Sequence, residues 1–174
     1  MTRMKKLFRL ILMVSLLGGS ASLMGQAVNT TILGSLPDRI ETDDPESLSI
    51  VLEGDLSFGA LTVGGISGSL SISPEGTRIP QGGVSGVYST YSEGRFTVYG
   101  APNTLVTVLL PAGSVSLESG TSAMSVGELV TDTPLTTTLD ENGKATWKLG
   151  GKLNVSAGQE PGDYSGYILI MVNY

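Results

Sequence analysis

From residue 48 onward the chain alternates apolar and polar residues with a period of two, the pattern of a strand that buries one face. Leu48, Ile50 and Leu52 share one parity, Leu56 and Phe58 flank Ser57, and Leu70 and Ile72 sit among Ser69, Ser71 and Ser73. The same pattern predicts strands over 96–99, 105–109, 115–117, 124–129, 136–139, 145–149 and 153–155. No window past the N-terminal segment places apolar residues at i, i+3, i+4 and i+7 without a Gly or Pro interrupting it, so helices are not expected.

Turn residues punctuate these runs. Pro74-Glu75-Gly76, Gly100-Ala101-Pro102-Asn103, Pro111-Ala112-Gly113 and Asp140-Glu141-Asn142-Gly143 combine the fixed φ of Pro with the positive φ that Gly and Asn tolerate. The last predicts a hairpin between 136–139 and 145–149, and Gly150-Gly151 predicts a further turn. Short strands spaced by about 8–12 residues predict an all-β, antiparallel sandwich of two packed sheets, because parallel βαβ units need crossover helices. The run 164–174 is the longest predicted strand. Ile168, Ile170, Val172 and Tyr174 lie on one face and Tyr167, Leu169 and Met171 on the other. A strand apolar on both faces belongs inside a sheet, or beneath a loop or a neighbouring subunit, with every adjacent edge occupied.

The first 27 residues break the pattern. Arg3, Lys5, Lys6 and Arg9 precede an apolar run from 10 to 17, and small residues follow. This is the form of a secretory signal, too short for a transmembrane helix, which needs about 20 apolar residues. Cleavage is expected after Ala27, with Ala21 and Gly25 as alternatives, and no Cys follows that would take a lipid. The organisation expected is a signal over 1–27, an extension and acidic linker over 28–45, and a β-sandwich over 46–174. The mature chain then has no stable membrane span. Export places it in the periplasm, at the cell surface or outside the cell.

Composition narrows the chemistry. His and Cys are absent, which removes imidazole and thiolate catalysis and most transition-metal sites. Removing residues 1–27 takes away four basic residues and no acidic one, so six basic residues face 16 acidic ones, a formal charge of −10. That sign opposes nucleic-acid and anionic-membrane partners. No cofactor is expected, and no catalytic residue is assigned. Asp38, Glu41, Asp43, Asp44 and Glu46 match no calcium loop and read as a solvated linker. Glu53 and Asp55, two apart, would face one side of a strand as paired glycosidase acids do, but lack a neighbouring aromatic platform. Trp147, the only Trp, is expected half-buried beside Lys148. Asn29-Thr30-Thr31 and Asn154-Val155-Ser156 fit a glycosylation pattern that arises often by chance.

Asp55-Leu56-Ser57-Phe58-Gly59 and residues 68–78 resemble the opening of bacterial exported proteins in the domain of unknown function family 4402. Residues 96–104 resemble that family's middle motif, and 150–155, 157–159, 162–166 and 172–174 its close. The resemblance covers residues 46–174 and implies no established activity. The closing pattern is also similar, more loosely, to subunits of the spore-coat-U and archaic chaperone–usher pilus group. That similarity implies an incomplete immunoglobulin-like, pilin-like sandwich completed by an extended segment of the next subunit. Its implied partners are copies of itself or related subunits and a periplasmic chaperone. The chain lacks the disulfide frequent in that group.

Val28, Thr30, Ile32, Gly34 and Leu36 share one parity before Pro37 and form a candidate donor strand, the alternatives being a first strand of the same domain or a disordered arm. Three functions follow. The chain is a non-catalytic structural or adhesion protein of the cell surface, fimbria-like and built by strand pairing. Alternatively it is a monomeric exported module binding glycan or protein through the loop 82–94, where Tyr88 and Tyr91 stand among Gly and Ser. The third reading is an enzyme using Glu53 or Asp55.

Overall fold

A computed structural model of the chain describes residues 8–16, as backbone alone, and 48–174. Every helix or strand element among them is a β-strand: β1 (Phe8–Leu16), β2 (Ser49–Gly54), β3 (Leu61–Ile72), β4 (Arg78–Gly86), β5 (Gly94–Tyr99), β6 (Leu105–Leu109), β7 (Val115–Ser119), β8 (Ser122–Thr131), β9 (Thr136–Thr138), β10 (Lys144–Val155) and β11 (Tyr164–Asn173). All ladders but one are antiparallel; β1 runs parallel to β11. The all-β antiparallel sandwich is therefore what the chain forms.

Two long strands organise it. One edge of β10 pairs with β5 over its first half and with β3 over its second, while the other edge pairs with β8. β2 adds outside β5 and β4 outside β3. The β7–β8 hairpin leads to the second group, in which β11 pairs with β7 and β6, and β9 adds outside β6. Buried side chains from both groups form one core, with Phe96, Trp147, Leu149 and Leu153 from the first and Val106, Val108, Leu117, Ile168, Ile170 and Val172 from the second. No disulfide assists it, since the chain has no cysteine, so apolar burial and cross-strand pairing carry the stability.

Trp147 is fully buried, not half-buried. Its ring stacks on Phe96, its register partner in β5, with centroids 5.6 Å apart and planes within 4°. The indole Nε1 donates to the Pro134 carbonyl at 3.0 Å, so the one polar atom of the ring is satisfied. The segment holding that carbonyl is tied to β10, because the Lys148 amide donates to Asp132 Oδ1 at 2.8 Å and Thr133 Oγ1 to the Thr146 carbonyl at 3.1 Å.

Gly150-Gly151 is not a turn, and the two strands predicted on either side of it are one strand, β10. A Cβ on Gly150 would collide with the Ile72 carbonyl and one on Gly151 would lie 3.0 Å from Leu129 Cδ2, so glycine here serves close backbone approach inside a sheet. The ladder with β8 shifts register at this point, and Glu128 takes a positive φ of 48° there, which marks a bulge on β8. The turn at 140–143 does form, with Asp140 Oδ1 accepting from the amides of Asn142 at 2.9 Å and Lys144 at 2.8 Å. It does not close a hairpin ladder, because β9 pairs with β6 and β10 with β5. The segment 56–58 is not a regular strand: Leu56 and Ser57 make isolated bridges, that of Ser57 to Ser92. β3 and β10, at 12 residues, exceed the 10 of β11.

Trp147→Ala is expected to cost about 3–5 kcal/mol through the cavity left beside Phe96. Urea unfolding checks this: the midpoint should fall steeply with the slope unchanged.

Candidate functional site

β11 alternates buried and exposed residues without a break from Tyr164 to Ile170, and Val172 is buried as well. Tyr164, Gly166, Ile168, Ile170 and Val172 face the core; Tyr167 and Leu169 face outward and are about half exposed. One edge is paired piecemeal, with β7 only at Ser165–Glu118 and with β6 only over 171–173. The other edge is paired continuously with β1, from Phe8–Tyr164 to Leu16–Val172, nine positions in parallel register. β1 also comes alongside β2, the end strand of the first group. It thus lies between the two groups.

Two residues fix the start of β11. Tyr164 is fully buried, and its hydroxyl donates to the Glu160 carbonyl at 2.7 Å while accepting from Gln159 Nε2 at 2.8 Å. Gly166 lets β7 approach, since a Cβ there would meet the Ser116 carbonyl and lie 2.9 Å from Leu117 Cδ2. A buried glycine and an anchored tyrosine fix the start of the strand, and the backbone N–H and C=O groups of the edge toward β1 are paired with that strand at regular spacing. Such an edge is chemically a template for another strand.

The predicted donor residues Val28, Thr30, Ile32, Gly34 and Leu36 lie outside the described residues, as do the cleavage sites Ala21, Gly25 and Ala27 and the acidic linker 39–46. The apolar run read as a leader is in part the strand β1, a pairing that no local pattern signals.

Half of the loop 82–94 is not a loop. β4 extends to Gly86 as the partner of β3, and only the stretch after it carries Tyr88 and Tyr91. Tyr88 is fully exposed; Tyr91 is partly covered, with the Arg78 guanidinium 5.2 Å from its ring centre. Arg78 reaches across to donate to the carbonyls of Val87 and Ala60, and Ser89 Oγ accepts from the Ala60 amide at 2.7 Å. Burial pulls the Arg78 pKa below the usual arginine value, with Tyr91 acting in the opposite sense. Arg78 is the brace of this loop, a role the β-like run around it did not reveal.

Glu53 and Asp55 do not form a pair on one strand face. β2 ends at Gly54 after a register shift between Leu52 and Gly54, and Asp55 lies beyond it. Glu53 Oε1 accepts from Thr97 Oγ1 at 2.6 Å, and that hydroxyl also contacts Thr146 Oγ1 at 2.8 Å. Glu53 thereby satisfies a threonine buried in the sheet. Two open surface depressions, one beside Leu110, Pro111 and Leu135 and one beside Ser67, Ser125 and Asn154, each bring together no pair of titratable groups. Among the described residues no three acidic side chains gather as a metal would require.

Fold and site together define a class: an antiparallel all-β sandwich whose strand β11 pairs in parallel, along one full edge, with β1 from the N-terminal part of the chain. The chain belongs to the family described as a domain of unknown function (DUF4402), whose model matches residues 48–174. The motif resemblance read from residues 55–59 to 172–174 is thus shown. No curated protein and no solved structure matches the chain.

Tyr164→Phe is expected to lower stability by about 1–3 kcal/mol, because the Glu160 carbonyl loses its donor in a part-buried corner. Tyr88→Ser, at a fully exposed position, should stay within about 0.5 kcal/mol of the parent. Paired urea curves compare the two. Arg78→Ala is expected to loosen residues 87–91, read as faster amide exchange there with β10 and β11 still protected.

Proposed function

We propose that this protein is a non-catalytic, exported structural or adhesion protein of the bacterial cell surface, a fimbria-like subunit assembled by β-strand complementation. The observation that supports the reading is the β11 edge, which pairs in parallel with β1 over nine consecutive residues. The Tyr164 corner supports it. In immunoglobulin-like sandwiches a tyrosine bonded back to the upstream backbone opens the strand that precedes the final one. Here the tyrosine corner opens β11, and the place beside that strand is held by β1. The basic and apolar N-terminal segment supports export, and the similarity of the closing motif to spore-coat-U and archaic pilus subunits supports assembly with copies of itself or related subunits and help from a periplasmic chaperone. Removal of residues 1–27 leaves the β11 edge to Val28–Leu36, whose alternate positions are suited to an added strand.

The second reading, a monomeric module for glycan or protein, is favoured by Tyr88 alone, a fully exposed aromatic on a loop braced by Arg78.

Light scattering on a sizing column, applied to chains 28–174 and 46–174, separates the two. Assembly predicts a ladder of oligomers from the longer chain and its loss from the shorter. A single monomeric species from the longer chain would overturn assembly and favour the binding module.

A further inference from the structure

The β11 ladder defines a polarity as well as a place. β1 and β11 run in the same direction, and the β1 positions Phe8, Leu10, Leu12, Val14 and Leu16 stand in register with the five core-facing positions of β11, from Tyr164 to Val172. The segment Val28–Leu36 has the same length, nine residues, and in the same parity carries apolar residues at the first, fifth and ninth positions, with Thr30 third and Gly34 seventh. Resting on the assembly reading, we propose that the β11 edge is a parallel-strand acceptor whose occupant in the mature protein is residues 28–36 of a second copy, with Val28 beside Tyr164 and Leu36 beside Val172.

Packing favours this direction. In the parallel register Thr30 stands beside Gly166 and Gly34 beside Ile170, so every core-facing level of the pair contains at least one side chain. Reversing the donor sets Gly34 beside Gly166, which leaves one level with no side chain from either strand, a void in an interior that elsewhere packs tightly. Gly166 cannot be enlarged to fill it, because β7 already occupies the space of its Cβ. Residues 8–16 and 28–36 require the same nine backbone positions, so their occupancies are mutually exclusive.

Cross-linking reads the direction directly, since the chain has no cysteine of its own to confuse the result. Ser165 is exposed on β11. Parallel register sets Asn29 beside it, and antiparallel register sets Ser35 there. The two donor positions are about 20 Å apart along a strand, while a disulfide needs Cα atoms within about 7 Å. The variants N29C/S165C and S35C/S165C of chain 28–174 are oxidised mildly, sized, and mapped by mass spectrometry. A disulfide between copies in the first variant and none in the second is expected. A disulfide in the second variant would overturn the polarity while leaving assembly standing. A disulfide within one copy would overturn the second-copy occupant and assembly together. Oligomers without either disulfide would overturn the β11 acceptor alone, and monomers without either would overturn both readings.

Discussion

The edge of β11 facing β1 is the constraint on which the architecture turns. The strand must be buried on one face, because Ile168, Ile170 and Val172 complete the core that Trp147 and Phe96 anchor. A strand so placed cannot leave a full edge of N–H and C=O groups unpaired next to an apolar interior without a cost of order 1–3 kcal/mol for each buried unsatisfied group. On one side β7 and β6 cover it only in part. The other side is covered entirely by a strand lying some 150 residues away in sequence.

The remainder of the sandwich supports that strand. β10 is central to the first group and is paired on both edges, its glycines admitting the β8 bulge and the close passage of Ile72. The Trp147 indole fastens the segment around Pro134 over the core, and the Tyr164 hydroxyl fastens the corner before β11. These two buried polar atoms set the position of the loops without spending any ion pair. The described ion pairs, Arg95–Glu93 and Lys152–Glu128, each have at least one well-exposed member and contribute little.

Much of this was legible in sequence. Period-two alternation located β2, β5, β6, β7, β8 and β11, because alternate apolar residues of each pack on the core. It missed β4, where Gly82, Gly83 and Gly86 and the exposed residues Ile79 and Gln81 hide the alternation. It split β10 at Gly150-Gly151, since glycine signals a turn and a close approach equally well. Local chemistry also found the Asp140 turn but not the partners of the strands beside it, which are chosen by burial and not by turn residues. The site was the least legible part. An apolar run after basic residues reads as a leader, and only three-dimensional pairing shows that such a run fits the β11 edge. Glu53 and Asp55 illustrate the converse, a spacing that resembles chemistry until a bulge at the end of β2 separates the two.

The assembly reading requires the β11 edge to be covered by a strand in the mature chain. Amide hydrogen exchange across residues 164–172, compared between chains 28–174 and 46–174, tests it most directly. Slow exchange along β11 in the longer chain and markedly faster exchange in the shorter, with β10 protected in both, is the expected result. Equal protection of β11 in the two chains would contradict it.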